Sequence, residues 1–287
     1  MKTIITTDSA CDLSKEQLNE YNIQVLPIYV NMNGEEYKDG INITPEDIFA
    51  YVKETKTLPK TSALSIADYE TFFKTLLDNN PDTNIIHIGL SSGISSCCEH
   101  AQMASENFDK KVTVIDGKNL STGTGLLVLF AAKLAKEGVE YTEIIKRVEE
   151  RVPYVQASFI IEEVHYLHKG GRCSAIALIG ANLLKIKPKI NVIDGKMKPT
   201  GKPRGKMLSV LKDYVDQTLE EYNNPDKSIC FVTHSQIEPE IANQIKEYVE
   251  NKNIFEQVVI TTAGATITCH CGKGTLGILY INDGGNK

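Results

Sequence analysis

The chain has 287 residues, 41% of them hydrophobic and 24% charged, with a net charge of −6. That balance belongs to a globular protein and excludes a disordered chain or a coiled coil; the acidic sum argues against nucleic-acid binding, which shows as a basic domain. The length predicts one large or two medium domains, with a core large enough to stand without disulfide or metal staples.

No stretch approaches the roughly 20 apolar residues of a membrane span. The opening run meets Asp8 too early for a signal peptide, so a cytoplasmic protein is expected, touching a membrane surface at most transiently. The seven cysteines, at 11, 97, 98, 173, 230, 269 and 271, are odd in number and lack a framework spacing. They read as free thiols of a reducing compartment.

Along the chain, strands and helices alternate. Lys2–Thr7 reads as a strand, with Asp12 or Ser14 capping the helix after it, and Ile23–Val30 reads as a second strand. Thr44-Pro45-Glu46-Asp47 starts a helix to about Glu54, with an N-cap Thr, Pro at the first helical position and early acids. Lys56–Ser62 reads as a loop. Ser65 opens a capping box, followed by Ile66, Tyr69, Phe73, Leu76 and Leu77 at helical spacing. Asn84–Leu90 and Val112–Asp116 are continuous apolar runs of the kind buried on both faces of a parallel sheet. Helices are predicted over about Thr122–Lys136 and Tyr141–Arg151.

Beyond a soft boundary near 155 the pattern changes. Strands Ala157–Ile161, Lys189–Ile193 and Lys196–Pro199 surround a helix Ala175–Leu184, with Asp194-Gly195 as a hairpin turn. A helix near Lys206–Tyr222, strand Ile229–Thr233, helix Pro239–Glu250 and strands Val258–Thr262 and Leu276–Ile281 complete the chain. The reading is an α/β domain over 1–155 with a parallel sheet, then an α+β domain over 156–287 with a mixed sheet.

Several segments could carry chemistry. Gly89-Leu90-Ser91-Ser92-Gly93 matches the G-x-S-x-G nucleophile elbow, with Ser91 as nucleophile. The same turn, with Ser92, Ser95 and Ser96 ahead of a helix, also reads as an anion cradle of neutral donors. No Arg or Lys lies between Leu90 and Met103, which favours a single negative charge. Thr61-Ser62 is a second hydroxyl cluster before a capped helix. Gly123-Thr124-Gly125 lacks the third glycine of a dinucleotide fingerprint, Val128 standing there, and lacks the acid about 20 residues on. A Rossmann cofactor site is therefore rejected, and no other cofactor is expected. Cys269-His270-Cys271 looks like a ligand set, but alternation on a strand aims the three apart, and no second Cys/His pair completes a zinc site. His270 alone then remains as a hydrogen-bonding group at a pocket. Gly170-Gly171 should end a short helical segment and expose Arg172 to an anionic partner.

Taken together, these blocks resemble the DegV family. Thr6-Thr7-Asp8-Ser9-Ala10-Cys11-Asp12-Leu13 is similar to its opening signature, Thr61-Ser62-Ala63-Leu64-Ser65 to its Thr-Ser-Gln-Pro-Ser block, and Leu90-Ser91-Ser92-Gly93-Ile94-Ser95 to its serine-rich turn. Asp116 to Gly125, Leu167 to Ser174, Leu184 to Pro188 and Ala263 to Leu276 continue the resemblance over essentially the whole chain. Ala63-Leu64 stands in place of Gln-Pro, Ser96-Cys97-Cys98 in place of Gly-Thr-Tyr, and Gly272-Lys273-Gly274 in place of Gly-Pro-Gly.

The resemblance implies two domains, the first Rossmann-like, with one long-chain fatty acid such as palmitate in the cleft between them. It implies a carrier, not a catalyst, that in some members presents the fatty-acid carboxyl to a fatty-acid kinase. The implied ligand-binding residues are Thr61, Ser62, Ser92, Gly93, Ser95 and His270, with the choice between Ser92 and Ser95 open. Arg172 is the implied partner contact. No metal is implied, and a monomer is expected. The alternative from a different class is a serine hydrolase using Ser91, with His234 or His270 as base; the upstream glycine-rich oxyanion motif is missing.

Overall fold

The computed structural model describes residues 2–173, 175–176 and 186–285. The N-terminal half runs β1 (Lys2–Asp8), α1 (Lys15–Glu20), β2 (Gln24–Leu26), β3 (Tyr29–Met32), β4 (Glu35–Lys38), α2 (Pro45–Thr55), β5 (Lys60–Ser62), α3 (Ile66–Asn79), β6 (Thr83–Gly89), α4 (Cys97–Ser105), β7 (Val112–Asp116), α5 (Ser121–Lys136) and α6 (Tyr141–Arg151). A parallel sheet in the order β2-β1-β6-β7 forms its centre, as the apolar runs and crossover helices require. Three helices begin on capping boxes, at Ser14, Thr44 and Ser65.

The second half runs β8 (Val155–Ile160), α7 (Val164–Gly170), β9 (Lys189–Ile193), β10 (Lys196–Gly201), α8 (Met207–Glu221), β11 (Cys230–Ser235), α9 (Pro239–Glu250), β12 (Val258–Thr262), α10 (Ala265–Cys271) and β13 (Thr275–Ile281). Its sheet is mixed, in the order β10-β9-β8-β13-β11-β12, with only β11 and β12 parallel. The helix expected over Ala175–Leu184 lies almost wholly outside the described residues.

Three readings change. Ile23–Val30 is not one strand: Pro27 has no N–H for the ladder, and the run splits into β2 of the parallel sheet and β3 of a separate antiparallel sheet, β4-β3-β5. Lys60–Ser62 is the third strand of that small sheet, pairing Thr61 with Val30, and not loop. Cys269-His270-Cys271 lies on helix α10 and not on a strand, so alternation across a strand does not apply to it. Among the described residues no cluster of His, Cys, Asp or Glu is arranged to hold a metal.

Helix α5 lies between the two large sheets. Leu126 to Leu134 of that helix share one core with Ile5, Ile86 and Ile88 of the parallel sheet and with Ala157, Phe231 and Leu279 of the mixed sheet. A second core runs from Ile4, Leu90 and Leu120 to Phe159, Met197 and Ile267. All seven cysteines are buried and free. No helix among the described residues is long and apolar enough to cross a membrane.

Candidate functional site

Helix α10 is the element on which the site is built. Its first amides are held by carboxylates from the far end of the chain. Gly264 N–H donates to Asp12 Oδ1 (2.8 Å), Ala265 N–H to Asp39 Oδ1 (2.9 Å) and Thr266 N–H to Asp39 Oδ2 (3.1 Å). Asp12 accepts in addition from the Ser121 hydroxyl, and Asp39 from the Ser9 hydroxyl (3.0 Å). Asp12 does not cap α1; Ser14 does. Burial pushes the Asp12 carboxyl up to about 8 and that of neighbouring Asp8 up to about 6.

Three faces of this short helix serve three ends, each marked by residues four apart. Ala265 and Cys269 pack on Val30, Ile43 and Ile48 of the N-terminal half. Thr266 and His270 line a cavity together with Thr61, Ser62, Ser95 and Arg172. Ile267 and Cys271 line that cavity and also a second one, and Leu120 is common to both. The remaining wall of the first is chiefly apolar, with Ile28, Leu90, Ile94 and Met197. The second reaches Phe159, Gly277 and Leu279 of the mixed sheet.

At the polar end, Thr61 Oγ1 and His270 Nε2 are 2.8 Å apart. Burial, and then the nearby Arg172 charge, bring the His270 imidazole down to about 4, so it is neutral at pH 7. Its Nδ1 is buried and has no partner among the described residues. A bare nitrogen lone pair costs less to strand than an N–H, which assigns the proton to Nε2. Nε2–H then donates to Thr61, whose own proton is left free to donate into the cavity. The ring fits only because residue 170 has no side chain: a Cβ there would lie 2.5 Å from His270 Nδ1.

The two serines left open by the sequence differ in placement. Ser95 lines the cavity, its hydroxyl accepting from Cys97 N–H (3.3 Å). Ser92 is not among the lining residues. Its hydroxyl accepts from Lys118 Nζ (3.1 Å), which is paired with Asp116 at 2.7 Å. Gly93 also lies off the cavity wall, pressed against the hairpin turn at Gly195, where a Cβ on residue 93 would meet Gly195 O at 2.6 Å. Helix α4 starts only at Cys97, so the serine turn is a loop of its own and not a direct strand-to-helix elbow. Ser91 Oγ donates to Gly195 O (2.8 Å) and accepts from Gly93 N–H (3.1 Å). With no base among these partners, the hydrolase alternative finds no support. Arg172 follows the left-handed Gly171 that ends α7, as expected, and its guanidinium folds onto Gly170 O (2.8 Å) at the exposed rim of the cavity.

Asp12 and Asp39 carry no sequence signal for this role, because their partners lie 252 and 226 residues away. Thr266 shares a face with His270, but that periodicity shows only once 265–271 is known to be helical.

The two cavities share Leu120, Ile267 and Cys271; the first gathers Thr61, Ser95, Thr266 and His270 among apolar residues, and the second adds Ser121, Thr233, His234, Ser235 and Thr275 to Phe159 and Leu279. The chain belongs to the DegV family, described as uncharacterised, whose model matches residues 2–283. A DegV domain-containing protein of Staphylococcus aureus is 31% identical over 98% of this chain and 99% of its own. A DegV family protein from Thermus thermophilus, described for its fatty-acid binding, superposes with a TM-score of 0.90 at 26% identity, over 98% of this chain and 100% of that one. DegV from Bacillus subtilis, described as a fatty acid binding protein, does so with a TM-score of 0.85 at 28% identity, over 99% and 100%.

Proposed function

We propose that the protein binds one long-chain fatty acid, its carboxylate at Thr61, Ser95 and His270 and its chain running past Leu120, Ile267 and Cys271 into the second cavity. The observation that carries this reading is the first, chiefly apolar cavity, with neutral hydroxyl donors at one end and a neutral imidazole that orders one of them. Such donors suit a monoanion, and solved relatives with this fold are described as fatty-acid binders. About 14 methylenes at ~0.8 kcal/mol each give a gross ~11 kcal/mol before ordering costs, so the tail dominates affinity and the head sets orientation.

We further propose that the protein is a carrier and not a catalyst, acting in a reducing compartment as the monomer expected above. In this role it presents the carboxyl group to a fatty-acid kinase, with the exposed Arg172 at the cavity rim as the contact. The test of the binding reading is denaturing extraction of purified protein followed by lipid mass spectrometry. A stoichiometric fatty acid is expected. A protein that carries none, and that takes up neither palmitate nor oleate, refutes it.

A further inference from the structure

Thr266 is only 4% exposed, and its hydroxyl has no hydrogen-bond partner among the described residues. A helical threonine ordinarily donates to the carbonyl four residues back. Thr266 is the second residue of α10, so that carbonyl belongs to Thr262 in strand β12, outside the helix. An unpaired buried hydroxyl is costly, and this one lines the head-group cavity one turn from His270. Once His270 donates to Thr61, Thr61 has a single proton to give and Ser95 one more, whereas the two oxygens of a carboxylate accept about four hydrogen bonds.

We propose that Thr266 is a further ligand-binding residue whose hydroxyl donates to the carboxylate beside Thr61 and Ser95. The assignment rests on the fatty-acid reading above. It makes α10 the element that sorts head from tail, with Thr266 and His270 facing the carboxylate and Ile267 and Cys271 facing the chain.

Thr266→Val keeps the branched shape and the backbone N–H held by Asp39 and removes only the hydroxyl; Thr266→Ser restores it. Delipidated full-length protein is titrated with palmitate and with hexadecan-1-ol, both delivered from cyclodextrin. Thr266→Val should weaken palmitate binding about tenfold or more, the value of a hydrogen bond to a charged group. Hexadecanol affinity should hold within about twofold, and Thr266→Ser should recover palmitate binding. Without ligand, Thr266→Val should melt no lower than wild type, since it removes an unpaired buried hydroxyl. Equal losses for acid and alcohol, or unchanged palmitate affinity, overturn the assignment. A wild-type protein that takes up neither compound overturns the fatty-acid reading, and this assignment with it.

Discussion

Asp39→Ala removes the acceptor for two amides of α10, Ala265 N–H at 2.9 Å and Thr266 N–H at 3.1 Å, together with the partner of the Ser9 hydroxyl. The Ser9 hydroxyl can rotate, but the two amides are fixed by the helix. A buried donor left unpaired costs about 1–3 kcal/mol, so the pair is worth roughly 4 kcal/mol. At about 2–4 °C per kcal/mol for a chain of this size class, the melting temperature should fall by roughly 10 °C. The same loss frees the N-terminal turn of the helix that holds His270 against Thr61, so palmitate affinity should drop as well, without any change to a residue on the cavity wall. Asp39→Asn retains one acceptor oxygen and should fall between the two. Differential scanning calorimetry and fatty-acid titration read the two effects separately. An Asp39→Ala protein that melts within about 2 °C of wild type and binds palmitate normally would refute the clamp.

Gly170→Ala places a methyl 2.5 Å from His270 Nδ1, so the imidazole must shift from Thr61 and fatty-acid affinity should fall; unchanged affinity in a titration excludes the close approach. Folding stability should fall between about pH 6.5 and 8. Asp12, raised to about 8, contributes stability that is complete at low pH and is lost as pH rises through that value. His87 and His270, lowered to about 3 and 4, contribute stability that is present above 6.5 and lost as pH falls toward those values. The slope is about 1.4 kcal/mol per pH unit for one proton. Urea unfolding at several pH values checks this, and an Asp12→Asn protein with an undiminished alkaline slope contradicts the assignment. Arg172→Ala should leave palmitate affinity unchanged and slow acyl-phosphate formation with a fatty-acid kinase and ATP, by a margin that shrinks as salt rises; slowing that is insensitive to salt, or a loss of palmitate binding, moves Arg172 from partner to ligand.

The parallel sheet and its helices were legible because their signals are local: capping boxes at Thr44 and Ser65, and apolar runs at 84–90 and 112–116. The Asp194-Gly195 hairpin was legible for the same reason. The small sheet was hidden by Pro27, although Asn33-Gly34, the turn between β3 and β4, is a strong hairpin signal that marked its centre. Helix α10 has no local helical signal, because Thr266, Ile267 and Thr268 are β-branched residues that favour strands. What makes them helical is tertiary: the carboxylates of Asp12 and Asp39 and the packing of Ala265 and Cys269 on the N-terminal half. Thr61, Ser95 and His270, named through the family resemblance, line one cavity, and Ser92 does not. The task of Asp12, and the face Thr266 presents, depend on contacts that no local pattern encodes.

That clamp also dictates an order of assembly. Its two halves lie 252 and 226 residues apart in the chain, and contacts of such separation form late because their loop-closure cost falls due first. At a synthesis rate of about 5–20 residues per second, Asp12 and Asp39 precede α10 by roughly 10–50 s on the ribosome. Until α10 is made, a chain that already has its parallel sheet and Thr61 still lacks His270. A nascent chain therefore cannot hold a head group, and possession of a bound ligand becomes a mark of a completed and closed molecule.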